Sequence, residues 1–318
     1  MKLGKTTAVI DKSLFQIICS EPDASREKLL NQLFSRYQLV IPLVLVEEVW
    51  INFGKPKQGK HAVILQMVET LGQMTKCWMD GEIEIVFREL IQGRAIKKLP
   101  PPPKELIDFS LRLKADDPKF LRWLEENRLA KEQAINNRIA DQRDILPTGS
   151  FAEVSDEGDL FQRYARGMFI ELLASSERTK TLLEKLFGHQ FRHRHPNFKR
   201  RIEKAFRRFN TATFTRYPVT LSYIMASMFY FYAPLCRIQS PTGTTKRKII
   251  GSKRYEQRNN LLDQRYVVSA CLCDRLLTCD EGMNNIMQVF KQGGLWKGET
   301  IFLDPNQSID SQLSKLLA

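Results

Sequence analysis

Five acids in this chain stand where carboxylates can do chemistry. Asp11 follows the short apolar run Thr6–Ile10, and Asp280 follows the run Arg275–Thr278. Asp274 leads into that second run, while Glu48 and Asp263 lie in stretches of helical spacing. In an open parallel sheet, functional side chains gather beyond the C-terminal ends of the strands. Asp11 and Asp280 are therefore expected side by side, although 269 residues separate them. Carboxylates crowded at such an edge repel one another unless cations sit between them. Their hard oxygens suit Mg²⁺ or Mn²⁺, ions that activate water against phosphodiesters. Each acid also has a plainer use. Asp11 could cap a helix, Glu47 and Glu48 could open one, and Asp274 and Asp280 could be turn residues. The joint placement is what points to a site.

The elements that must position these acids follow from hydrophobic patterning. Thr6–Ile10 and Tyr37–Ile41 are β-prone and apolar, the second stopped by Pro42. Lys28–Ser35, Val44–Ile51 and Gly59–Trp78 have helical spacing, and Glu82–Phe87 alternates as EIEIVF, the period of a strand. The first 90 residues thus read β-α-β-α-α-β. The run Leu99–Pro103, with its four prolines, interrupts this pattern, because consecutive prolines cannot join a sheet ladder. Helical periodicity then dominates: a helix opening at Phe120, a stripe from Leu160 to Leu173, and a helix Asn197–Phe209. Alternation returns with a helix Asn260–Cys271, a strand Arg275–Thr278, a helix Gly282–Phe290 and a strand Thr300–Leu303. The expected architecture is an α/β domain in two halves, 1–98 and 255–318, separated by an all-α insertion over 99–254.

The wording around the acids resembles a known family. VIDKSLF after the first strand, IPLVLVEEVW after the second and NNLLDQRYVVSACLCDRLLTCDEGM near the C-terminus are similar to the acidic motifs of PIN-domain nucleases. The resemblance covers roughly residues 1–90 and 255–305. It implies a PIN-like parallel sheet flanked by helices, in a larger member with a helical insertion. It assigns Asp11, Glu48, Asp263 and Asp280 to a catalytic group holding one or two Mg²⁺ or Mn²⁺ ions. Asp274 matches an extra metal-binding acid of larger relatives, Thr278 matches the Thr of the strand motif, and Glu47 replaces Glu48 if the register shifts by one. The implied activity is metal-dependent phosphodiester hydrolysis, most often of RNA. Two departures stand out: Asn260 occupies a position where relatives often carry an acid, and the insertion is far longer than in toxin-type members.

Charge adds a second signal. The chain has 318 residues, 49 Lys and Arg against 36 Asp and Glu, and a net charge of +13. From His189 to Arg258, sixteen Lys and Arg face two acids, a net +14; the other 248 residues hold 33 against 34, a net −1. The basic residues that could follow a phosphate backbone are Arg192, Arg194, Lys199, Arg200, Arg201, Lys204, Arg207, Arg208, Lys246, Arg247, Lys248, Lys253 and Arg254. Phe191, Phe198, Phe206, Phe209 and Phe214 interleave with them and could stack on bases or pack into a core.

Other signals narrow the field. A 43% hydrophobic and 27% charged composition excludes a disordered tail, a collagen-like chain and a polytopic membrane protein. No Gly-rich phosphate loop is present. Cys19, Cys77, Cys236, Cys271, Cys273 and Cys279 form no CxxC pair, and reduced thiols in a cytoplasmic protein are expected. His189, His193 and His195 sit among arginines, which disfavours a cation site. Between Arg216 and Arg237 lie 20 uncharged residues, but Pro218, Pro234 and several hydroxyls make a buried core helix the better reading than a membrane span. The leading expectation is a cytoplasmic endoribonuclease with nucleic acid as partner, RNA ahead of DNA, and an inhibitor or complex protein as a further partner. Toxin and defence roles enter by family association alone. Two alternatives stay open: a PIN-like module that binds nucleic acid without cleaving it, and an interaction protein docking through its aromatic segment 217–236.

Overall fold

The structure, a computed structural model, describes residues 5–53, 61–73, 78–79, 81–96, 196–208, 216–231, 238–239, 245–246, 254–292 and 294–317, with isolated helical residues between 119 and 133. Thr6–Ile10 forms β1, and Asp11 caps the helix that follows, α1 (Lys12–Ser20), which buries Leu14, Phe15, Ile18 and Cys19. Next come α2 (Asp23–Arg36), β2 (Tyr37–Pro42), α3 (Leu43–Phe53), α4 (His61–Gln73), the two-residue strand β3 (Trp78–Met79) and α5 (Glu82–Gln92). The later elements are α6 (Pro196–Arg208), α7 (Pro218–Phe231), the antiparallel pair β4 (Ile238–Gln239) and β5 (Thr245–Lys246), and α8 (Arg254–Ala270). The chain closes with β6 (Arg275–Thr278), α9 (Glu281–Gln292), β7 (Glu299–Phe302), a 3₁₀ turn and the short α10 (Leu313–Leu316).

The main sheet runs β3-β2-β1-β6-β7, and its neighbouring strands are all parallel. Parallel neighbours need crossover connections, which the helices supply. From β1 the chain moves outward through β2 and β3, and it returns on the other side of β1 as β6 and β7. The order therefore reverses between β1 and β6, the kind of switch point that opens a crevice beyond the strand ends. The α/β class with a parallel sheet and flanking helices holds, and the sheet is assembled from both ends of the sequence. The C-terminus is tied to it as well: Tyr37 Oη donates to the carbonyl of Leu316 at 3.0 Å.

One expected strand is a helix. EIEIVF lies in α5, whose N-cap is Gly81 and whose C-terminal cap is Gly93 in the left-handed region at φ 66°. Alternation over six residues also satisfies the helical spacing Ile83, Val86, Phe87 and Leu90, and these side chains pack against the core. The third strand is instead Trp78–Met79, paired with Ile41 and Pro42. The uncharged stretch after Arg216 forms α7, buried from Val219 to Ser227 within the same core as the sheet helices. A helix apolar on all sides belongs inside a protein core or a bilayer; among the described residues no helix is long and apolar enough to cross a membrane. The proline run at 99–103 and the stripe at 160–173 lie outside the described residues.

Candidate functional site

Asp11 leaves β1 at the switch point and is 1% exposed. Its backbone amide donates to Leu277 O of β6 at 3.0 Å, which locks it to the neighbouring strand. Asp11 Oδ1 accepts from the Leu14 amide at 2.8 Å, capping α1, and Oδ2 accepts from Thr278 Oγ1 at 2.8 Å. Thr278 ends β6, and its hydroxyl also accepts from the Asp280 amide at 2.8 Å. Asp280 Oδ1 in turn accepts from the Met283 amide at 2.7 Å at the start of α9. Both acids thus cap helices, the plain use expected of Asp11 but not of Asp280, and both stand at the C-terminal edge of the sheet.

Two helices bring the remaining carboxylates. Glu48 comes from α3 and Asp263 from α8, and both are half-buried. Burial pushes the Asp11 carboxyl up to about 7, against the hydrogen bonds from Leu14 and Thr278, and the charges of Asp280 and Glu48 push the same way. Asp263 is raised well above the ordinary carboxylate range by burial, then by the charges of Asp280, Glu48 and Asp11. Asp11, Glu48, Asp263 and Asp280 therefore sense one another as a group of like charges.

The neighbouring acids do other work. Glu47 forms a buried ion pair with Arg265 Nη1 at 2.5 Å, joining α3 to α8. Of the acidic pair, Glu48 is the member that faces the other carboxylates. Asp274 does not join them. It precedes β6, so it lies at the opposite, N-terminal edge, where Oδ2 accepts from the Thr7 amide at 2.8 Å and the Thr7 hydroxyl at 2.7 Å. Thr7 and Asp11 are four residues apart along β1, about 13 Å at the usual strand rise. Asp274 is a clasp between strand beginnings, and its expected place among the metal-holding acids is corrected.

Tyr266 was not anticipated from the sequence. It is 1% exposed and lies three residues after Asp263, on the same face of α8. Its hydroxyl is buried beside Glu48: burial first, then the Glu48 charge and its contact with the hydroxyl, then Asp11 push the phenol well above its ordinary range, with Arg265 opposing. No group among the described residues meets that hydroxyl with regular hydrogen-bond geometry. The i+3 spacing from Asp263 was the available signal. Cys279 lies between Thr278 and Asp280, and burial followed by the charges of Asp11, Asp280 and Asp304 pushes its thiol up to about 12.

Carboxylate oxygens are the donors that a hard divalent cation takes, and mutual repulsion is what such an ion would relieve. The donor chemistry fits. The spacing is less closed: among the described residues, no group of three or more His, Cys, Asp or Glu side chains has the arrangement of a metal site. Of the basic residues, Arg200, Arg201 and Lys204 are exposed on α6. Lys199, Arg207 and Arg208 also lie on α6, Lys246 on β5 and Arg254 at the start of α8. Arg192, Arg194, Arg247, Lys248 and Lys253 lie outside the described residues, as do His189, His193 and His195.

Fold and site together define a parallel α/β protein with four carboxylates at the switch-point edge of its sheet. No protein-family model matches this chain, and no curated protein and no solved structure matches it.

Proposed function

We propose that this protein is a metal-dependent endoribonuclease of PIN-like fold, with its carboxylates as the working site and its basic segment as the grip on RNA. One observation carries this reading: Asp11, Glu48, Asp263 and Asp280, drawn from both ends of the sequence, converge at the C-terminal edge of the sheet. Under this reading those four residues hold Mg²⁺ or Mn²⁺. The ion, when bound, offsets charge on the phosphodiester and makes water acidic enough to attack at neutral pH. The protein's own part is positional. Thr278 and the Leu14 amide hold Asp11, the Met283 amide holds Asp280, and the Glu47–Arg265 pair keeps α3 and α8 in register so that Glu48 and Asp263 face inward. No side-chain nucleophile is needed. The exposed cations of α6 supply counter-charge for the backbone of the substrate.

A second reading, a PIN-like module that binds RNA without cutting it, is favoured by Asn260, which stands where the resembled motif often carries an acid. Incubating purified protein with single-stranded RNA, and separately with single-stranded DNA, in Mn²⁺ or in EDTA separates the two. Cleavage in Mn²⁺ that EDTA abolishes supports the first reading. Salt-sensitive RNA binding with no cleavage in either condition supports the second.

A further inference from the structure

The residues that leave the C-terminal ends of the strands are mostly acidic or apolar. Asp11 and Lys12 follow β1, Leu43 and Val44 follow β2, Cys279 and Asp280 follow β6, and Leu303 and Asp304 follow β7. Among these described residues Lys12 is the one cation. Its backbone is firmly placed. It opens α1 directly after Asp11, whose amide is bound to Leu277 O of β6 and whose carboxylate caps the same helix. Lys12 therefore stands one residue beyond the switch-point acid, and it is half-buried.

The fold makes no use of this charge. A helix start carries partial positive charge, so a cation in the first turn is disfavoured there. An ion pair with an acid would offset that cost, and Asp11, Glu48, Asp263 and Asp280 gather at the same edge. Yet among the described residues no acid lies within ion-pair distance of Lys12, and no hydrogen bond holds its ammonium. The acids are left for a divalent cation, and the lysine is left for an anion. A residue that goes against a local preference with no return in the fold marks a functional position.

We infer that Lys12 is a substrate-binding residue: its ammonium takes a backbone phosphate of the RNA beside the one that faces the carboxylates. The inference rests on the metal-dependent endoribonuclease reading proposed above. A lysine is a compact charge on a flexible stem, which suits a phosphate along a single strand. A phosphate contact positions the strand and reads no base, so this grip is independent of sequence.

The test measures cleavage of single-stranded RNA in Mn²⁺ across a salt series for wild type, Lys12→Ala, Lys12→Arg and Lys28→Ala, the last removing an exposed lysine of α2. Lys12→Ala is expected to raise KM about tenfold with kcat nearly unchanged, as for the loss of one charge-assisted contact. The slope of log kcat/KM against log salt should lose about 0.7 in magnitude, one phosphate contact on a single strand. Lys12→Arg should keep both near wild type, and so should Lys28→Ala. Mn²⁺ affinity by calorimetry should be the same in all four proteins. Unchanged KM and slope in folded Lys12→Ala overturn the inference and leave the nuclease reading intact. Equal changes in Lys28→Ala overturn it too, since they report overall charge and not a contact. Weaker Mn²⁺ binding by Lys12→Ala, or its failure to fold, assigns Lys12 to the acids or to the fold and also overturns it. Wild type that cleaves no RNA in Mn²⁺ overturns the inference together with the reading it rests on.

Discussion

Thr278 Oγ1 donates to Asp11 Oδ2 at 2.8 Å, and the same oxygen accepts from the Asp280 amide at 2.8 Å. One buried hydroxyl thereby sets the spacing between the two strand-end acids. Thr278→Val keeps the shape and removes both bonds, leaving a buried carboxylate oxygen and a backbone amide short of partners. The expected loss is about 1–3 kcal/mol in urea unfolding. Thr278→Ser, which retains the hydroxyl, should lose less. Equal losses for the two variants would show that the methyl group, not the oxygen, carries the effect.

Neighbouring acids on α3 should behave in opposite ways. Glu47 is paired with Arg265 in the interior, so Glu47→Gln removes one side of a buried ion pair and should cost about 3–5 kcal/mol, the range for breaking a buried pair on one side. Glu48→Gln removes one of several like charges, so the metal-free protein should become no less stable while Mn²⁺ binding falls. Chemical unfolding of the two variants in EDTA checks the contrast. A larger loss for Glu48→Gln than for Glu47→Gln would reverse the assignment.

Much of this site was legible because it depends on direction along a strand. Asp11 and Asp280 each follow a strand, and parallel pairing brings strand ends to one edge. The same rule applies to Asp274, which precedes β6 and so falls at the far edge. Its grouping with the others, made from its nearness to that strand and then from the family motif, overlooked the strand's direction. The choice between Glu47 and Glu48 was not legible, because it depends on Arg265, 218 residues away. EIEIVF was misread because six residues cannot separate a period of 2 from one of 3.6 when both put isoleucines inside. Helix α1 was missed although its cap, Asp11, was the first acid singled out.

Burial makes stability pH-dependent at a second place. Glu89 of α5 is fully buried and accepts from the amides of Val219 at 3.2 Å and Thr220 at 2.8 Å, at the start of α7. Burial pushes its carboxyl from 4.5 up to about 7, against those hydrogen bonds. The folded protein therefore holds this proton more tightly than the unfolded chain. The resulting stabilisation is full below pH 4.5, fades as the pH rises to about 7, and is absent above. Asp11 acts in the same direction between 3.8 and about 7. Glu89→Gln cannot titrate, so its stability relative to wild type should improve from pH 5 to pH 8. Urea midpoints measured at both values check this, and a difference that does not change with pH would contradict it.

Asp274 should matter to the fold and not to chemistry. Its bonds to Thr7 lie at the exposed N-terminal edge, so Asp274→Ala is expected to cost about 1 kcal/mol. Any Mn²⁺-dependent cleavage should continue unchanged. A loss of cleavage in a folded Asp274→Ala protein would return this residue to the site.

The exposed cations of α6 make a prediction in salt. Each phosphate contact on a single strand contributes about 0.7 to the slope of log K against log salt, so Arg200→Ala, Arg201→Ala and Lys204→Ala together should reduce the slope for RNA by about 2. Fluorescence anisotropy across a salt series measures it. An unchanged slope would place the grip on RNA elsewhere in the basic segment.

Under the proposed function, carboxylates gathered from both ends of the chain work as one metal-dependent site. Its most direct test is cleavage of single-stranded RNA in Mn²⁺ by wild type and by Asp11→Asn combined with Asp280→Asn, with folding of the variant checked by circular dichroism. Cleavage by wild type and none by the folded variant is the expected result. Cleavage that survives the double substitution, or wild type that leaves RNA intact in Mn²⁺, would contradict it.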